Sequence, residues 1–197
     1  MKERFKVAPA THLESFLSAY NIPAHTWGQG NAKTAEHLYR EIKRKDSQLI
    51  QENGELIRKL KFIEVNVEVE AMGKKLRLVE DRQVFNEGKS NQRTRRRPEF
   101  KCAVKEKIHL HEDPDQAVVR AIKEEIGRLW SDHDLKLINP QKVDQKIIRR
   151  ESMSYPGLLT HYDGHSYHLQ LPRPLFSPDG YKEIQPDKTT YFVWKEI

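Results

Sequence analysis

The stretch "EKIHLHEDPDQAVVRAIKEEIGR" (residues 106–128) decides the fold, because it holds the end of a strand, a polar loop and an amphipathic helix. "KCAVKEKIHL" (101–110) reads as a strand with Cys102, Val104, Ile108 and Leu110 on one face, and Glu106 falls on that same face. Asp113 is placed to cap the helix that follows, Pro114 suits its first turn and Gln116 completes the cap. Val118, Ala121 and Ile122 recur at helical spacing, which predicts a buried stripe, and Gly127 marks the helix end or a late kink.

Outward from this segment the chain reads as helices, a hairpin, the strand–loop–helix and further strands. "THLESFLSAY" predicts a first helix, with Thr11 and Glu14 as a capping box and Leu13, Phe16, Leu17 and Tyr20 on one face. A second helix is expected from about Asn31 to Lys43. "IEVNVEVE" alternates, placing Ile63, Val65, Val67 and Val69 inward and Glu64, Asn66, Glu68 and Glu70 outward. "AMGKK" turns it into "LRLVEDRQVF", and a basic loop ending at Pro98 follows. After the helix, strands fit "KVDQKIIRRES", "GLLTHYD", "SYHLQL" and "TTYFVW", with "YDGH" as a turn. The order is α+β around a mixed β-sheet with flanking helices, not regular βαβ alternation.

Residues 106–128 resemble the Nudix box, G-x(5)-E-x(7)-R-E-U-x-E-E-x-G-U, where U is a bulky apolar residue. Glu112 stands at the first glutamate, Arg120 follows after seven residues, Ile122 takes the first apolar position, Glu124 and Glu125 form the pair, and Gly127 is the late glycine. Glu106 replaces the first glycine, Ala121 replaces the glutamate after the arginine, and Arg128 replaces the final apolar residue. The resemblance implies a Nudix-like domain over residues 58–197 behind an N-terminal helical extension, 1–57. It also implies a magnesium or manganese site held by Glu112, Glu124 and Glu125, with Glu106 as a substitute ligand and Glu124 and Glu125 as the catalytic carboxylates. A hard divalent cation takes several oxygen ligands, so the alanine at 121 implies weak metal binding and hydrolysis that is weak or lost. Taken alone, "KEEIG" reads first as a helix with a solvated glutamate pair, and Glu106 reads first as a salt bridge to Arg120 or a lysine, or as turned to solvent by a bulge, rather than as a ligand.

The chain has 197 residues, 37% hydrophobic and 32% charged, with a net charge of +6. No run approaches the 18 apolar residues of a membrane span, and the first residues lack a signal-peptide core, so a cytoplasmic protein is expected. A single cysteine, Cys102, excludes an internal disulfide and a cysteine-rich metal site. "KSNQRTRRRPEFK" (89–101) sets Lys89, Arg93, Arg95, Arg96, Arg97 and Lys101 against Glu99 alone and holds most of the net charge; it is the segment for RNA or an acidic partner. "RRESMSYPGLLTHYDGHSYH" (149–168) gathers Arg149, Arg150, Tyr155, His161 and Tyr162; with Arg120 they are the candidates for gripping a nucleotide, since arginines hold phosphate and rings stack on a base. In "WGQGNAKT" (27–34), Trp27 is expected to pack and Asn31 to cap, with nucleotide binding by Gly28, Gly30 and Lys33 as the lesser reading.

Three functions stay open on the sequence. The first is recognition of a nucleotide or other diphosphate compound with hydrolysis weak or lost. The second is an active hydrolase with a rearranged metal site. The third is an RNA- or protein-binding module on the same scaffold.

Overall fold

A computed structural model describes residues 3–4, 10–30, 32–86, 92–96 and 102–197. Asn31, Lys89, Arg97, Pro98, Phe100 and Lys101 lie outside the described residues. In chain order the elements are β1 (Glu3–Arg4), α1 (Ala10–Ser18), α2 (Ala35–Lys43), β2 (Gln48–Glu52), β3 (Glu55–Ala71), β4 (Lys74–Asn86), β5 (Gln92–Arg95), β6 (Val104–Ile108), α3 (Pro114–Glu125), α4 (Asp132–Leu135), β7 (Gln141–Glu151), β8 (Leu159–Gln170), β9 (Tyr181–Ile184) and β10 (Lys188–Glu196). This is the expected α+β class with a large mixed sheet and few helices. The strands pair in the order β1-β2-β3-β4-β10-β9; β5 joins β4, β6 and β8 join β3, and β7 joins β8.

The chain forms two compact units. The first comprises residues 1–62, 107–112 and 145–164, and the second 63–106, 113–144 and 165–197. The expected boundary at 57/58 falls inside β3.

In the first unit, Leu13 and Leu17 of α1, Leu38 of α2, Leu49 of β2 and Leu56 of β3 share a core with Tyr155 and Leu158. α1 already runs at Ala10, so Thr11 lies within the helix and does not cap it. α2 starts at Ala35 rather than near Asn31, because Thr34 and His37 form its capping box. Trp27 packs as expected: its Nε1 donates to the Pro156 carbonyl at 2.9 Å and its ring meets Tyr155. "YDGH" is not a turn. β8 runs straight through it, and Gly164 is needed for close approach, since a Cβ there would sit 2.5 Å from the Phe62 ring.

Glu41 of α2 is buried in this unit and gathers three cations. Arg58 donates to it at 2.6 Å, Lys107 at 2.6 Å and Lys33 at 2.9 Å. Lys33 is thereby committed to an ion pair rather than to a ligand of the glycine loop. Burial alone would raise the Glu41 carboxyl, but Arg58, Lys107 and Lys33 outweigh it and hold it at about 2.

In the second unit, β4 pairs antiparallel with the C-terminal half of β3 and with β10. Glu68 is not outward as the alternation suggests; it is only 4% exposed. Lys75, Arg77 and His168 surround it at 2.9, 2.6 and 3.2 Å. They overcome burial and hold its carboxyl at about 2. The described part of the basic segment is strand rather than loop: β5 pairs with β4 in register from Gln83↔Arg95 to Asn86↔Gln92. β7 is exposed along nearly its whole length, Val143, Ile147 and Ile148 included.

Because the Glu41 carboxyl is depressed, its stabilising effect is present above the ordinary carboxylate range and is lost as pH falls toward 2. We predict that Glu41→Gln destabilises the protein by about 3 kcal/mol in urea at pH 7, since it leaves Arg58 buried without its counter-charge. It should also flatten the acid dependence of stability below pH ~4.5. Glu36→Gln, which breaks the exposed Arg40 pair, should cost less than about 1 kcal/mol. Equal urea midpoints for the two variants would refute the assignment.

Candidate functional site

α3 forms where the sequence places it. Asp113 is the N-cap, accepting from the Asp115 N–H at 2.7 Å and the Gln116 N–H at 3.3 Å, and Ile126 ends the helix. Val118, Ala121 and Ile122 are buried, with Ala121 at 0% exposure. Gly127 is buried against Trp130: a Cβ would lie 2.6 Å from the indole, which in turn meets the Tyr181 ring edge-on. Gly127 accommodates an aromatic folded back on the helix end.

The paired glutamates part ways. Glu124 is exposed and receives Arg120 across one turn at 2.9 Å. Glu125 is half-buried and turns toward Glu183 of β9, Glu106 of β6 and Glu80 of β4, with Lys188 of β10 as the cation that opposes them. Burial first, then Glu183 and Glu106, raise its carboxyl to about 8. This environment favours the protonated form of Glu125. Glu183 and Glu80 are themselves 8% exposed. Glu183 accepts from Thr190 Oγ1 at 3.4 Å and from Gln185; Glu80 accepts from Gln83 Nε2 at 3.4 Å. The register between β10 and β4 shifts beside Glu80, pairing Tyr191 with Arg82 but Phe192 with Glu80. This irregularity falls at Asp81, with Leu78, Val79 and Glu80 buried before it and Gln83 after it.

Glu112, in the first unit, accepts from the His109 N–H at 3.2 Å. Carboxylates are the right donors for magnesium or manganese. As arranged they do not fit the ion: among the described residues no three His, Cys, Asp or Glu groups stand close enough to hold one.

The other candidates scatter. Tyr155 is a correction: it is fully buried among Leu13, Leu17 and Leu38, between Trp27 and the Arg58 guanidinium, and has no face for a base. Its side chain is among the largest fully buried ones of the described residues. Arg149 pairs with Glu55. Arg150 lies over the Tyr162 ring at 5.2 Å. His161 lines a cavity of about 330 Å³. In the basic strand, Arg93 stacks on Phe85 at 4.7 Å, Arg96 pairs with Asp81, and Arg95 is exposed. Burial pushes the Cys102 thiol up to about 11, which disfavours its thiolate. No described helix is long and apolar enough to cross a membrane.

Sequence reasoning missed Glu80 and Glu183. For Glu80 a signal existed, since it continues the inward series Leu76, Leu78 of its strand. Glu183, in a four-residue strand, offered none.

No protein-family model matches the chain, and no curated protein matches it. Solved structures do match. The crystal structure of a C. elegans Ap4A hydrolase is 14% identical over 70% of this chain and 80% of its own, with a TM-score of 0.32. The solution structure of the E. coli ORF135 protein is 17% identical over 69% of this chain and 72% of its own, with a TM-score of 0.30. A binary complex of a C. elegans Ap4A hydrolase gives 15% identity, 70% and 78% coverage, and a TM-score of 0.29. Superpositions this loose place no residue of this chain in a known site.

A raised carboxyl makes the folded state less stable as pH climbs from the ordinary 4.5 through about 8, where the unfolded chain ionises first. Glu125→Gln removes that loss. We predict that the variant gains a few kcal/mol over the natural protein at pH 9 and almost nothing at pH 4. Parallel stability–pH curves for the two proteins would show that Glu125 keeps an ordinary carboxyl.

Proposed function

We propose that this protein is a Nudix-like domain that recognises a nucleotide or other diphosphate compound and hydrolyses it weakly or not at all. The box residues keep their spacing on β6, its loop and the capped helix α3, which supports the scaffold. The environment of Glu125 carries the functional reading. Burial and the carboxylates around it favour the protonated form of Glu125, so a cation must displace that proton before Glu125 can serve as a ligand. Glu124, tied to Arg120, adds little to it. Ala121 sits with no exposure in the helix core, so the position that would supply the missing carboxylate is filled by packing.

One observation favours the second reading, an active hydrolase with a rearranged site. Glu106 and Glu183 both act on Glu125, and a magnesium or manganese ion that drew these oxygens together would replace the ligand lost at 121. The third reading, an RNA- or acidic-partner module, leans on Arg93 and Arg95 of β5 and on Arg96 just after it, two of which already have partners.

The experiment is calorimetric titration with ADP and a turnover assay over a panel of nucleoside diphosphate compounds, each with and without manganese. We expect binding of ADP and negligible turnover. Ala121→Glu should lower stability by about 2 kcal/mol or more, because the carboxylate enters a packed site. Metal-dependent turnover by the natural protein that Glu125→Gln abolishes would establish the second reading. No nucleotide binding, together with salt-sensitive RNA binding lost in an Arg95→Gln/Arg96→Gln variant, would establish the third.

A further inference from the structure

The first unit contains a cavity of about 330 Å³, at the small end of the range that takes whole small molecules. Gln48 of β2, Lys59 and Lys61 of β3, His161 and Asp163 of β8, and His111 of the segment after β6 line it. Alternation places these side chains together. Lys59 and Lys61 are two residues apart on one strand, as are His161 and Asp163, and Gln48 lies directly opposite Lys59 in the β2–β3 register. Arg58, one residue before Lys59, points the other way and is buried against Glu41. One face of β3 thus closes on the helices, and the face carrying Lys59 and Lys61 opens into the cavity.

The lining is cationic. Two ammonium groups and two imidazoles face one carboxylate, and Asp163 already accepts from Gln145 Nε2 of β7 at 2.9 Å. Lysines present movable point charges with several donors each, and the histidines and Gln48 add directed N–H groups. No phenyl, phenol or indole ring lines the space; Leu60, Leu110 and Ile147 supply its apolar part. This lining suits a compact, multiply charged oxyanion, and its only rings are the two imidazoles. It is also not a metal cage, since no three metal-ligating groups converge among the described residues.

We propose that this cavity is a diphosphate-binding site, in which Lys59 and Lys61 hold the charge and His111 and His161 orient the oxygens. The proposal rests on the diphosphate reading above and gives that ligand a seat made of lysine and histidine rather than of metal-bound carboxylates. The diphosphate has two sources, free inorganic pyrophosphate or the diphosphate of a nucleotide.

The test uses the full chain and two probes, inorganic pyrophosphate and ADP, without divalent metal. Binding is followed by calorimetry and by the imidazole NMR signals of His111 and His161. We expect both probes to bind and to shift both imidazoles. Lys59→Gln/Lys61→Gln should weaken binding at least tenfold, whereas Lys43→Gln/Lys136→Gln, which removes two exposed lysines elsewhere, should change it less than threefold. Unchanged circular dichroism and thermal midpoint of the first variant make that loss specific. His161→Gln provides an independent arm with an expected loss of at least threefold. Tighter ADP than pyrophosphate identifies the nucleotide as the source; equal or tighter pyrophosphate identifies the free anion. Binding of ADP that neither shifts the imidazoles nor responds to Lys59→Gln/Lys61→Gln overturns the site and leaves the diphosphate reading standing. If neither probe binds without metal, the site falls; the diphosphate reading falls with it only if ADP also fails to bind in the presence of manganese.

Discussion

β3 is the constraint on which the rest of the structure depends. Its 17 residues pair with β2, β4, β6 and β8; β1, β5, β7 and β10 join the sheet through those four, and β9 joins through β10. Alternation along so long a strand leaves little freedom. With Arg58 turned to Glu41, Lys59 and Lys61 must face away from the helices. A slip of one residue would put Lys59 into the core beside Leu13 and Leu38 and swing Arg58 out of its ion pair. The buried Arg58–Glu41 pair works as a register lock as much as a source of stability, because no shifted pairing satisfies both charges.

The protein treats its buried acids in two opposite ways. Glu41 and Glu68 are each surrounded by cations and ionise far below neutrality. Glu125 is surrounded by other carboxylates and ionises above it. The first arrangement is what folding favours, since a buried charge is tolerable when opposed at hydrogen-bond distance. The second runs against stability and is the pattern found where a group is kept for chemistry or binding. That contrast, more than the presence of two adjacent glutamates, separates Glu125 from Glu124.

Much of the fold was legible in the residues. The cap at Asp113, the buried stripe of Val118, Ala121 and Ile122, and the α+β order follow from short-range patterns that tertiary structure had no reason to override. The failures have physical causes. Glu68 looked outward because alternation predicts only which face a side chain takes; it does not say whether that face is covered. The Asp163–Gly164 pair looked like a turn, yet the glycine answers to the Phe62 ring on a neighbouring strand, a contact with no local trace. Tyr155 looked like a ligand platform because a ring among arginines serves a core as readily as a site. Of the candidate site, Glu125 and Glu106 were visible as box positions, whereas Glu183 and the Lys59–Lys61 face become neighbours of anything only once distant strands align.

β7 raises a question of colloidal behaviour. It is an eleven-residue strand with β8 as its only strand partner among the described residues, and it carries Val143, Ile147 and Ile148 in the open. Such a ribbon is a template for pairing with a second chain. Its sequence alternates this risk with a remedy: Lys142, Lys146, Arg149 and Arg150 punctuate the apolar positions. Two like-charged ribbons approaching edge to edge repel before their backbones can meet. The remedy is electrostatic and reaches only as far as salt allows, about 10 Å at 0.1 M and 3 Å at 1 M. High ionic strength, often added to keep basic proteins in solution, would here strip the guard from the strand that most needs it.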